Sequence, residues 1–365
     1  MRGIAIFLVV VHHVGIRLPL AHTMLKPWLP KWLSSLLNFQ GYQAVFLFFV
    51  LSGFLIARNS ITRWKSLPRI DLRAFYLRRA SRILPCFLLL LAVLSLLHIT
   101  GLHDFKIEGP GQSLGGALLA ALGLHLNWYE GLVGYLPANW DVLWSLSIEE
   151  CFYLVFPLLC ILLRRDWLLA PALGIFALAL PYWMVTTQGS EIWQEKAYLP
   201  GMSAIALGVF GALVTSWCAS PPRWLVHILC AFGAAGLVCT FCATAFCWHL
   251  LHEGYLLLHI VAACALIISF YWQAHSGPAW QLPETHWLRS SGRMSYEIYL
   301  THMFIVLPAV NLFQYCSPKS TDWAWTVYLP VLGFCWLLGW LVMRLFSVPA
   351  GRWLLRHFHS SSASA

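Results

Sequence analysis

Long apolar runs recur along this chain, and they leave it little choice of architecture. Residues 3–20, 42–57, 83–100, 146–163, 168–186, 201–217, 225–246, 254–273, 295–314 and 325–345 are each mostly apolar, near the ~20 residues a helix needs to cross a bilayer. Lipid offers no hydrogen bonds, so each crossing segment must satisfy its own N–H and C=O groups, which a helix does. Only 10% of the 365 residues are charged, against roughly 25% in soluble domains. The reading is an all-α polytopic membrane protein of about ten transmembrane helices.

Charge placement sets the expected threading. Arg58, Arg63, Lys65, Arg69, Arg73, Arg78, Arg79 and Arg82 fall in one segment between two apolar runs, the pattern of a cytoplasmic loop. Segment 113–126 is apolar but short, with Gly115, Gly116 and Gly123. Left as a re-entrant or interfacial segment, it puts Arg164, Arg165, Arg223, Arg289, Arg293, Arg352 and Arg356 on the same side as the basic loop, with both termini cytoplasmic. If 113–126 crosses, the count becomes eleven and every later basic loop moves outside. The expected organisation is one membrane domain over residues 1–350 and a short cytoplasmic tail over 351–365, polar at its end.

Several other classes are disfavoured. The net charge of +9 follows topology rather than forming a nucleic-acid surface, so no nucleic-acid partner is expected. The eleven cysteines lie mostly inside apolar runs, where small buried thiols are the rule and a disulfide framework is not indicated. Cys239, Cys242, Cys247, His249 and His252 gather near one helix end, but only Cys239 and Cys242 have helix-face spacing, and no metal site is expected. The start resembles a short signal peptide, yet no small-x-small cleavage site follows, and it reads as a retained span.

Within this apolar frame, ionisable groups mark chemistry. Each costs roughly 2.5–3.5 kcal/mol at a helix centre, so an intramembrane one is a functional candidate. Arg2 and His13 are separated by eleven positions, which is about 1100° of rotation, within ~20° of three turns, and ~16 Å of rise. They share a stripe but cannot touch, as groups lining a path would. Arg79 and Arg82 sit at i, i+3 before Pro85, with Arg78 at i, i+4 to Arg82; paired guanidinium forks suit phosphate oxygens, and lipid head groups would also satisfy them. Glu149 and Glu150 open the apolar run at 146–163. Successive helix positions point about 100° apart, so one of the two faces a given cavity and the other caps the helix or pairs with Arg. Ser52-Gly53 reads as a close-packing step, and His302 as another histidine inside a span, where a hydrogen-bonded packing role is common.

Taken in order, Arg2-Gly3-Ile4-Ala5 with His13, Phe48 to Ile56 (FFVLSGFLI), Arg79-x-x-Arg82, Trp144 to Tyr153 (WSLSIEECFY) and Ser295 to His302 (SYEIYLTH) resemble the acyltransferase-3 family. These integral-membrane O-acyltransferases modify bacterial surface polysaccharides and related envelope or secreted molecules. The resemblance runs over roughly residues 1–345. Three points differ from the usual pattern: members carry a few residues, often an Asp, ahead of the first Arg; Cys151 stands where Gln is common; and many members add an esterase-like domain that this sequence does not contain.

The resemblance implies a multi-pass protein of the bacterial inner (plasma) membrane. It also implies acyl-CoA, foremost acetyl-CoA, as a donor substrate rather than a resident cofactor. The acceptor would be a hydroxyl of a carbohydrate or lipid-linked glycan reached from the other side. Arg2 and His13 match its Arg-x10-His pair, and Arg79 and Arg82 its Arg-x-x-Arg pair. The expected site is thus His13, Arg2, Glu149 and Glu150 for catalysis, with Arg79, Arg82 and Arg78 on the CoA phosphates. A competing class is a transporter or exporter of an acylated or amphipathic solute, using the same Arg and His without chemistry; a third is a non-catalytic membrane partner whose arginines meet only lipids.

Overall fold

The computed structural model describes residues 1–276 and 286–360, and every regular element among them is a helix. Seven of these are long and apolar enough to cross a bilayer, or nine if each of two bent helix pairs is one span. The nine coincide with nine of the ten expected spans. The tenth does not. Over 3–20 the helix is Arg2–Gly15, 14 residues, or ~21 Å against a hydrocarbon core of ~30 Å. It stops where Arg17 turns its guanidinium back onto the His13 carbonyl at 2.9 Å and Pro19 follows. The expectation of ten or eleven spans is therefore corrected to seven to nine.

Segment 113–126 forms two short helices, Leu114–Leu122 and the first residue of Leu126–Val133, of 9 and 8 residues. Neither is long enough to cross. The basic stretch 58–82, expected as a loop, is mostly helix. Arg58 and Arg63 ride on Gly41–Trp64. Asp71 then caps the helix Leu72–Ile99, accepting from the Ala74 N–H at 2.8 Å. Pro85 sits inside that helix and frees the Ser81 carbonyl, four residues back, from its helical bond. The helix Val348–Ser360 lies against that carbonyl through Gly351, where a side chain would collide with it. This helix takes in Gly351 to Ser360 of the expected tail; 361–365 lie outside the described residues.

The chain divides into two compact units. The first comprises Met1–Gly41, Asp71–Trp144 and the part from Trp287 on. In it Arg2–Gly15 packs on Lys31–Phe39, on Ser295–Thr301 and on Tyr328–Val342, with Ala5, Val9, Val10 and Val14 buried. The second comprises Tyr42–Ile70 and Ser145–His286. Its centre is the crossing of Gly41–Trp64 with Tyr198–Trp217. Gly53 meets the Ile205 carbonyl and Gly208 the Val50 carbonyl, and a β-carbon at either would collide. The Ser52-Gly53 step is thus a packing feature. In the same unit Arg223–Cys242 and Gly254–Ser276 pair closely, His259 is held between Thr240 (2.9 Å) and the Gln43 carbonyl (3.0 Å), and the Cys239 and Cys247 thiols meet at 3.3 Å.

Candidate functional site

The first helix is unbroken between Arg2 and His13, so the shared stripe that the spacing requires is realised. Residues from Leu288 to His302 supply much of what faces it. Gly3 packs on the Leu288 carbonyl, Ile6 and Val10 share a cavity wall with Ile298, and the rings of His13 and His302 lie 5.0 Å apart. The two segments therefore run side by side in the same sense. Glu297 is buried and lies within electrostatic reach of both Arg82 and Arg2. One carboxylate thus links the first arginine of the stripe to the Arg-x-x-Arg helix.

At the other end the polar groups are denser. His302 is 0% exposed and stands at the 45° bend between Ser295–Thr301 and Met303–Cys316. Its Nδ1 is 2.7 Å from the Tyr299 carbonyl, while its buried Nε2 has no hydrogen-bond partner. His12 stacks edge-on to His13 at 5.2 Å and holds the Asn38 carbonyl through Nδ1 at 2.9 Å. Asn38 in turn donates to the Tyr328 hydroxyl (2.7 Å) and accepts from the Leu20 N–H (2.9 Å), and Tyr328 donates to the Leu18 carbonyl (2.8 Å). This network fixes the chain just past the first helix. Burial lowers the Arg17 guanidinium from its ordinary value, and the charges of Asp141 and Asp104 oppose the shift. Asn311 donates to Asp104 at 2.5 Å. Asn139 is buried with neither amide atom hydrogen-bonded, and the Trp140 Nε1–H is likewise unpartnered.

Arg78 and Arg79 are half-buried and Arg82 is exposed, all within the first three turns of Leu72–Ile99. Arg82 and Arg2 both lie within electrostatic reach of Glu297, which no spacing argument could show. Glu149 and Glu150 are half-buried on the helix Trp144–Leu163 and belong to the second unit. A cavity of about 470 Å³ runs beside the stripe, walled by Gly3, Ile6, Phe7 and Val10 on the first helix and by Trp287 and Trp336 opposite.

Sequence reasoning passed over Glu297, Arg17, Asn38 and Tyr328, and took His302 for packing. Glu297 and His302 carried a usable signal, being ionisable residues inside an expected span. Asn38 and Tyr328 carried none, for they are 290 residues apart. Among the described residues no group of three or more His, Cys, Asp or Glu is arranged to hold a metal ion.

Among known proteins, the chain is 27% identical over 310 residues to a protein of Listeria monocytogenes serovar 1/2a named peptidoglycan O-acetyltransferase OatA, covering 76% of this chain and 47% of that protein. It is 31% identical over 169 residues to the O-acetyltransferase OatA of Staphylococcus aureus strain NCTC 8325, covering 43% of this chain and 23% of that one. A Haemophilus influenzae protein carrying no functional name is 32% identical over 164 residues, 43% of this chain and 65% of its own length. The chain thus spans about half or less of the named relatives. No solved structure matches it. The sequence profile of the acyltransferase-3 family, described as an acyltransferase domain, matches residues 1–345, nearly the whole chain, and the protein belongs to that family.

Proposed function

We propose that this protein is a multi-pass membrane O-acyltransferase, moving an acyl group, foremost acetyl, from acyl-CoA at the cytoplasmic face to a hydroxyl of an envelope carbohydrate. The observation that carries the reading is the first helix, with a guanidinium at one end, imidazoles at the other, and the buried Glu297 and His302 of one neighbouring segment near the two ends. Arg79 and Arg82, with Arg78, hold the CoA phosphates as bidentate forks. Arg2 guides the pantetheine arm inward, and its extended length is of the order of the ~16 Å to His13. At the far end the acceptor oxygen attacks the thioester carbonyl, an imidazole takes the hydroxyl proton, the C–S bond breaks, and the proton passes to the departing thiolate. The carbohydrate class of acceptor follows the Listeria relative's name. In this reading the arginine end of Leu72–Ile99 faces the cytoplasm of a bacterial inner membrane, as its basic residues favour.

The test is release of free thiol by the purified protein supplied with acetyl-CoA and a muropeptide or oligosaccharide acceptor. Acceptor-dependent release with a matching gain in acceptor mass is expected. His13→Ala is expected to lower the rate by up to ~10²-fold through misplacement of the thioester, in protein that still elutes as a folded species. Passage of intact acyl-CoA or solute across vesicles without thiol release would assign transport instead.

A further inference from the structure

We propose that His302, rather than His13, is the general base of the transfer, its Nε2 receiving the acceptor hydroxyl's proton. This deepens the acyltransferase reading and rests on it. The hydrogen bond from Nδ1 to the Tyr299 carbonyl requires the proton on Nδ1, which leaves Nε2 with its lone pair; this is how a neutral imidazole is set for base duty. That lone pair is buried and has no hydrogen-bond partner, an arrangement that costs free energy unless a ligand completes it. The carbonyl that sets the tautomer also stabilises the imidazolium once it forms.

Position agrees with chemistry. His302 lies at a 45° break in a spanning helix pair, and broken helices in membrane proteins are tolerated where they line a cavity or are buried in protein. Its ring is 5.0 Å from that of His13, which puts it at the imidazole end of the stripe. Further unsatisfied groups lie on a helix packed against the one that His302 caps. The helix Ala138–Asp141 contacts Met303–Cys316, the helix that His302 caps, and it carries the unpartnered Asn139 amide and Trp140 indole N–H. Neutral donors and acceptors together suit a hydroxyl-rich ligand rather than an ion. In the step itself, the acceptor O–C bond forms as the O–H proton moves to His302 Nε2. The C–S bond then breaks with its electron pair on sulfur, and His302 returns the proton to the thiolate, ending neutral.

The deciding variant is His302→Asn, whose amide N–H still reaches the Tyr299 carbonyl but which offers no basic nitrogen. With the full-length protein, acetyl-CoA and an oligosaccharide acceptor, kcat is expected to fall at least ~100-fold while the KM for acetyl-CoA stays within ~3-fold. Asn139→Ala is expected to raise the acceptor KM several-fold more than it lowers kcat. His302→Asn retaining a tenth or more of the wild-type kcat overturns the proposal. Where His302→Asn does not fold, His302→Ala with added imidazole decides: recovered turnover supports the assignment and its absence overturns it. Wild-type protein releasing no acceptor-dependent thiol defeats the acyltransferase reading and this proposal together, whereas an active wild type beside an active His302→Asn defeats this proposal alone.

Discussion

Arg2 and Arg82 sit on different helices yet answer to one buried carboxylate, Glu297. A lone buried carboxylate there would be costly, and the nearby positive charges offset part of that cost. Arg79 and Arg82 are then the residues whose loss is best separated from folding, because Arg79 is only half-buried and Arg82 is exposed. Replacing either by Ala is expected to raise the KM for acetyl-CoA ~10-fold with kcat little changed, since a phosphate contact far from the reacting carbonyl contributes to binding more than to the transition state. Steady-state kinetics over a range of acetyl-CoA concentrations checks this. An equal fall in kcat at saturation would instead place these residues near the chemistry.

At the scale of elements, close helix approach separates glycines that look alike in sequence. Gly53 and Gly208 each face a backbone carbonyl of the opposing helix, whereas a β-carbon at Gly333 meets nothing. Gly53→Ala or Gly208→Ala is expected to cost about 1–3 kcal/mol by overpacking, and Gly333→Ala to stay within about 0.5 kcal/mol. Thermal unfolding in one detergent compares the three. Element lengths were only partly legible beforehand. Apolar runs located the seven long apolar helices and the two bent pairs, because burial in lipid is written in composition. The first helix was overestimated because Val14 to Leu20 is apolar enough to continue the run, while the Arg17 bond to the His13 carbonyl and Pro19 end the helix. The basic stretch was expected as loop because charge reports side, not conformation; Arg73 to Arg82 are helical.

For the whole molecule, the alternation of basic ends is satisfied by the nine spans whether or not the first helix crosses fully. Under the proposed threading, the turn holding Cys239 and Cys247 is extracytoplasmic. Those two thiols meet at 3.3 Å, close enough that a small approach completes a disulfide. In the oxidising extracytoplasmic compartment the pair is expected to close. Alkylation of protein taken directly from cells should then leave both unlabelled until a reductant is added; both labelled without reductant would put that face in the cytoplasm or show the pair inert.

Composition and spacing alone determined that the chain is helical and membrane-embedded, that Arg2 and His13 share a stripe, and that Arg79 and Arg82 share another. These follow from local rules, the hydropathy of a run and the 100° step of a helix. Which residues meet that stripe was decided only in three dimensions. Glu297 and His302 reach it from nearly three hundred residues away, and the Tyr299 carbonyl selects the His302 tautomer because a helix breaks there. Spacing along a chain carries no information about such encounters; they arise when separate helices are packed against each other and each buried polar atom must find a partner or wait for a ligand.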